Sequence, residues 1–210
     1  MNIIKPRKNN NLPKIEYLLE EIIDEQLINK QIENVIMENI EIYDVKFETL
    51  KIINVEITNG KLEKNTFTDI TFENCNFSNT SFENSIFVRC EFKNCKMTGC
   101  NFIEARLYNV SFVETNINYA NLSTTSMENV LFKDIGLRNS NFQENSLKNI
   151  YFEKADLTQA MIDKTSLKNI DLSDSIIEGI AVSIDDIKGA TINQFQAVDL
   201  LYLIGVKIKM

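Results

Sequence analysis

Residues 68–97 read TDITF ENCNF SNTSF ENSIF VRCEF KNCKM, consecutive units of five residues, each closed by a bulky apolar side chain. Outward from this stretch the register never slips. It runs back through Phe67, Leu62, Ile57, Ile52, Phe47, Ile42 and Met37 to Ile32, and forward from Phe102 through Leu107, Phe112, Ile117 and onward to Ile192. Twelve of the thirteen phenylalanines lie in this one column, which removes chance as an explanation. A period of five fits neither the 3.6 of a helix nor the 2 of a strand. A fixed short period is the mark of a solenoid, in which each unit packs only on its neighbours.

A second column, two residues before each bulky one, is small or β-branched: Cys75, Thr80, Ser85, Cys90, Cys95, Cys100, Ala105, Val110, Thr115, Ala120, Thr125 and Val130. The other three positions are rich in Asn, Ser, Thr, Lys and Glu. Each unit therefore sends one large and one small side chain inward and turns a corner. Asn recurs two residues after the bulky position, at Asn74, Asn79, Asn84, Asn94, Asn109, Asn129, Asn149 and Asn169. Asn tolerates left-handed backbone and bonds its own turn, so it belongs at corners.

TDITF, ENCNF, SNTSF, ENSIF and KNCKM match the small–x–bulky pattern of the pentapeptide-repeat family, and the resemblance covers about residues 32 to 192. It implies an all-β solenoid, a right-handed quadrilateral β-helix with four units to a coil. Eight coils stacked at strand spacing make a square rod about 38 Å long. Phe72, Phe92, Phe112, Phe132 and Phe152 then form one aromatic ladder inside a wall. The domain reading is 1–30 as an N-terminal cap segment, 31–192 as the β-helix and 193–210 as a C-terminal helix and tail.

Both ends of such a stack need covers, because open strand edges recruit other chains. Ile15, Leu18, Leu19, Ile22 and Ile23 fall at helical spacing opposite Glu20, Glu21, Asp24 and Glu25, which predicts a short amphipathic helix over Ile15–Leu27. The five-residue column also runs back through Ile22 and Leu27, so an irregular first coil competes with it. At the other end Asn193 can cap a helix through Phe195, Val198, Leu201 and Tyr202, with Gly205 ending it, and Val206-Lys207-Ile208 alternates like a strand. The family resemblance implies that this end, with Phe195, Val198, Leu201, Tyr202 and Ile204, forms a symmetric dimer.

The start of the chain lacks the apolar core of a signal peptide and no apolar run approaches a membrane span, so the expected location is cytoplasmic. The four cysteines sit in the small inward column and read as packing. With no His in the chain they do not read as a metal site, and no cofactor is expected. Without His, and without a P-loop, GxGxxG or HExxH, no catalytic constellation can be assembled, so the chain is not expected to be an enzyme. The net charge of −8 argues against direct nucleic-acid binding. By wall, those carrying Phe72, Phe77 and Phe82 come out acidic and that carrying Phe87 weakly positive.

What remains is surface. The best-understood members of the family, of the Qnr and MfpA types, are dimeric rods that bind bacterial DNA gyrase and topoisomerase IV as DNA mimics and protect them from quinolones. The resemblance implies such a partner here, met by acidic residues such as Glu73, Glu83, Glu104 and Glu144. Two departures are visible: no loop interrupts this register, and the first thirty residues are unlike the short start of those proteins. Duplex DNA of this length carries roughly 22 charges, so the chain is closer to DNA in shape than in charge. The alternative is a protein–protein scaffold with an unrelated partner. Its contacts would be apolar patches, Val113 with Leu131 and Tyr151 on one wall, or Ile86, Val88 and Tyr108 beside Arg89 and Arg106 on the next.

Overall fold

The computed structural model describes residues 3–7, 9 and 11–207. The strands are β1 (Lys14–Ile15), β2 (Gln26–Glu33), β3 (Ile36–Glu38), β4 (Glu41–Tyr43), β5 (Lys46–Ile53), β6 (Glu56–Thr58) and β7 (Lys61–Glu63). They continue as β8 (Thr66–Glu73), β9 (Ile86–Lys93), β10 (Arg106–Val113), β11 (Ser126–Lys133), β12 (Ser146–Glu153), β13 (Met161–Ile162) and β14 (Ala181–Val182). Two short helices, α1 (Ile184–Ile187) and α2 (Gln196–Leu200), and a 3₁₀ turn at Leu201–Ile204 follow.

From β2 onward every strand pairs in parallel with the residue twenty places along, as in Phe47↔Phe67↔Phe87↔Leu107. This is the parallel β-solenoid of about eight coils that the repeat implies, four units to a coil. Corners obey the expected chemistry: all eight Asn named above have φ between 51° and 65°. Corner asparagines also bond along the rod, Asn94 Nδ2 donating to Asn74 Oδ1 at 2.8 Å, Asn74 to Asn54 at 3.3 Å and Asn54 to Asn34 at 3.1 Å.

The column residues fill the interior. Phe72, Phe92, Phe112, Phe132 and Phe152 stack nearly parallel with centroids 4.3–5.4 Å apart. Between walls the rings meet edge to face, as Phe72 meets Phe77 at 5.6 Å and 84°. Both geometries suit the ring quadrupole and add about 0.5–1.5 kcal/mol per pair beyond area burial. The small column has a second task. Thr80 Oγ1 donates to Ile57 O, Thr125 Oγ1 to Phe102 O and Thr165 Oγ1 to Phe142 O, at 2.7, 2.9 and 2.7 Å. Each buried hydroxyl is thereby partnered by a carbonyl of the preceding coil. The four cysteines occupy equivalent places, all free and buried. Burial pushes the Cys90 thiol up to about 12.

Two expectations need correction. Ile15–Leu27 is not a helix: β1 pairs with Gln31 and Ile32 of β2, Leu18–Glu21 turns, and Ile23 pairs with Gln26, which makes an irregular partial coil. Ile15 and Leu18 are buried against the end of the core, and pairing with Ile32 holds Ile15 extended there, where a helix would leave the strand edge of β2 open. Val206 and Lys207 form no strand, and Ile208 lies outside the described residues. The C-terminal helix forms where the sequence places it. Asn193 Oδ1 accepts from the Phe195 and Gln196 amides while Gln196 Oε1 accepts from the Asn193 amide, a reciprocal capping box. Gly205, at φ 73°, ends the turn. Helix α1 has no counterpart in the repeat pattern; Ser183 caps it by accepting from the Asp186 amide at 3.1 Å.

The ladder is broken at one place. Between Ser146–Lys154 and Ser166–Asp174 no backbone hydrogen bond forms, although the opposite walls of the same coils stay paired through Asp156↔Ile176 and Met161↔Ala181. A cleft of about 290 Å³ opens there between Leu147–Tyr151 and Lys168–Ile170. Leu147 is half-buried, whereas Leu107 and Met127 below it are fully covered.

Candidate partner-binding surfaces

The convex walls hold the residues that sequence reasoning marked for contact. Units at positions equivalent to 77 and 82 turn tightly, because Asn101, Asn121 and Asn141 each accept from the backbone amide two residues on, at 2.9–3.1 Å. Units 67 and 72 instead form the eight-residue strands β2, β5 and β8–β12 of one sheet, each turning a left-handed corner such as Asp69 or Asn109. Glu83, Glu104 and Glu144 lie on the turned side and Glu73 on the strand side, on the opposite wall, so the structure does not bring the four together.

Their charges are also unequal. Glu144 Oε1 accepts from Lys164 Nζ at 2.8 Å, and Glu83 accepts from Asn101 Nδ2 at 3.2 Å. Along the upper coils opposite charges stack one coil apart: Lys148 with Glu128, Lys133 with Glu153, Lys154 with Asp134, Arg138 with Asp156. Exposed pairs of this kind contribute little to stability, but they flatten the field of the walls. The unbalanced charge is at one end instead. Residues 16–45 hold nine carboxylates, among them Glu16, Glu20, Glu33 and Glu38, against one lysine, Lys30.

On the strand side Leu131 and Tyr151 are register partners as the repeat requires, with Val113 beside Lys133. Leu131 is only 8 % exposed, because Ser111 and Tyr151 flank it on the coils either side; the patch presents Tyr151 and Val113 rather than Leu131. On the next wall Ile86 pairs with Arg106 and Val88 with Tyr108. Arg89 does not join them. Its Nε and Nη2 donate to Asp69 Oδ1 and Oδ2 at 2.6 and 2.7 Å.

That ion pair is part of a feature sequence reasoning missed. Asp69 and Arg89 replace Asn in a corner column, one coil apart, and the N-terminal arm lies over them. The Ile4 amide donates to Asn109 Oδ1 at 3.2 Å, the Arg7 amide to Asp69 Oδ1 at 3.0 Å, and Pro13 O accepts from the Gln31 amide at 2.9 Å. The arm thus runs down the rod across about four coils. The offset of twenty between Asp69 and Arg89 was the available signal; the docking of Ile4 and Arg7 had none.

At the C-terminal end Phe195, Val198, Tyr202 and Ile204 are exposed, Phe195 by 76 %, and Leu201 is half-buried. Leu200 and Leu203 turn to the core instead. Gln196 plugs the end of the rod, its Nε2 donating to Leu172 O and Ser175 O at 2.8 and 2.6 Å. Among the described residues no group of three or more His, Cys, Asp or Glu is placed to hold a metal ion, and no helix is long and apolar enough to cross a membrane.

The sequence matches the family described as "Pentapeptide repeat region" over residues 65–134 and 85–162, within the coils whose twenty-residue pairing is set out above. The chain is a pentapeptide-repeat protein. No curated protein matches it. Among solved structures, this pentapeptide-repeat chain is similar to a trypsin-treated variant of QnrB1, "a plasmid-mediated fluoroquinolone resistance protein", at 18 % identity and TM-score 0.43, covering 84 % of this chain and 99 % of that one. It is also similar to HetL of the cyanobacterium Nostoc, a pentapeptide-repeat protein involved in heterocyst differentiation regulation, at 14 % identity and TM-score 0.37, covering 77 % and 84 %. A pentapeptide-repeat protein of the Arabidopsis thaliana thylakoid lumen matches at 17 % identity and TM-score 0.23, covering 63 % and 72 %.

Proposed function

We propose that this pentapeptide-repeat rod is a non-enzymatic, cytoplasmic protein-binding scaffold whose partner is a bacterial type II topoisomerase. The observation that carries the reading is the excess of carboxylates at one end of a convex rod, nine against Lys30 over residues 16–45, of which Glu21, Glu33 and Glu41 are ion-paired. A cleft built to receive duplex DNA offers a positive lining to such an end, and charge complementarity raises the rate of encounter. The flattened field of the upper walls makes the likeness to DNA one of shape over most of the length. QnrB1 is a fluoroquinolone resistance protein, and protection from quinolones is the corresponding proposal for this chain.

Supercoiling by purified gyrase, with and without ciprofloxacin, across a titration of the protein tests this. Inhibition, or restored supercoiling with the drug, at low micromolar protein is the expected outcome. An absence of effect on both gyrase and topoisomerase IV removes the reading and leaves the scaffold with an unrelated partner, for which the half-buried Tyr151 and Val113 are the contacts to change first.

A further inference from the structure

The acid-rich end carries a second property. Strands β3 and β4 each pair on one side only, with β6 and β7. One coil on, the Glu56 amide donates to Val35 O and the Lys61 amide to Ile40 O, both at 2.8 Å; the equivalent amides of Ile36 and Glu41 meet no backbone carbonyl on their outer side. The irregular first coil covers the core through Leu18 and extends the neighbouring sheet through β1, but it leaves these two edges uncovered. Met37, at a core position, is therefore only half-buried, and Ile36 is 78 % exposed. Between β3 and the turn at Glu16–Glu20 runs a groove of about 480 Å³, with Leu19, Ile36 and Met37 along it. Glu16 and Glu20 rim this groove and make no ion pair among the described residues, while Glu38, next on β3, accepts only from Asn59 Nδ2.

We propose that this edge is a docking site for an extended strand of a partner protein that alternates apolar and basic side chains. An uncovered parallel edge supplies main-chain hydrogen bonds to an added strand, and pockets on alternate positions select its side chains. Apolar residues of the strand fall on the inward face with Met37, and basic ones on the outward face beside Ile36 and Glu38, with Glu16 and Glu20 across the groove. A second copy of the same end is disfavoured, because nine carboxylates would face nine. The proposal stands independently of the topoisomerase reading.

A fluorescently labelled synthetic peptide, Val-Lys-Ile-Lys-Val-Lys, is the probe, with a glutamate-for-lysine version as control. Anisotropy and backbone NMR with the full chain are expected to show binding of the lysine peptide alone, with shifts centred on Val35–Glu38. Ile36→Pro, which removes the uncovered amide, or Glu16→Lys with Glu20→Lys, should weaken binding more than tenfold with unchanged melting, since all three side chains are exposed and an edge strand tolerates proline. Equal binding of the control peptide, shifts elsewhere on the rod, or no binding would overturn the proposal. So would concentration-dependent self-association of the chain lost in Ile36→Pro, which would assign the edge to another copy's Val206-Lys207-Ile208-Lys209 segment.

Discussion

Phe112 is fully buried, with Phe92 and Phe132 stacked on its two faces at 4.9 and 5.4 Å. Truncation to alanine opens a void that two rigid coils cannot close. Phe112→Ala is expected to cost about 3–5 kcal/mol in urea unfolding, while Glu104→Gln on the surface should stay within about 0.5 kcal/mol. Asp69 makes a different prediction. Burial raises its carboxyl, but the hydrogen bonds from Arg89 and from the Arg7 amide outweigh that, so it sits below its ordinary value of 3.8. A depressed carboxylate stabilises the folded state above its unfolded value, and that contribution is lost as pH falls through the lower, folded one. The N-terminal arm should therefore release below pH 3.8, seen as a titration of the Arg7 amide resonance with its midpoint beneath that value. Asp69→Asn should abolish the transition.

Among the elements, β12 is the informative one. Ser146–Ile150 and Ser166–Ile170 are the same pentapeptide, SLKNI, yet the first is strand and the second a turn closed by the Ile170 amide on Leu167 O at 3.0 Å. The repeat also stacks Lys148 over Lys168, and like charges directly opposite oppose pairing. Lys148 bonds back to Glu128, Leu167 bonds forward to Asp186 O, and the ladder opens between them. Amide exchange should report this. The amides of Leu147, Asn149 and Phe152 should exchange faster than those of Met127, Asn129 and Phe132 by roughly tenfold or more, given the hydrogen bonds missing. Equal protection would mean that the seam is closed in solution.

At the scale of the whole molecule, the two ends differ in chemistry more than the walls do. The head is acidic with open strand edges; the tail presents Phe195, Val198, Tyr202 and Ile204 to solvent. We propose that the tail pairs with a second copy about a two-fold axis, the commonest closed assembly. Phe195→Lys with Tyr202→Lys should convert a dimer to a monomer in sedimentation velocity and leave the coils folded, since the core behind is closed by Leu200, Leu203 and Gln196. A wild-type monomer at all concentrations would sink that reading. The cap at Asn193 and the stop at Gly205 were legible in the sequence because caps are local. The arm, the seam and the uncovered head were not, because each depends on what lies across a corner or beyond the last coil.

The sequence by itself determined the repeat, the inward columns, the left-handed corners and the aromatic ladder. All of these follow from neighbours five or twenty residues away, a fixed distance that can be counted. Only the tertiary structure decided which units run as strands beside β12 and which turn, since SLKNI does both. It alone placed Ile4 and Arg7 on a corner, drew Arg89 away from the Tyr108 patch onto Asp69, and covered Leu131. A periodic sequence specifies the contacts of a coil that has a coil on either side. Where a neighbour is missing, mismatched or replaced by chain from elsewhere, the outcome rests on which backbone and charged groups find partners in space, and counting along the chain cannot supply that.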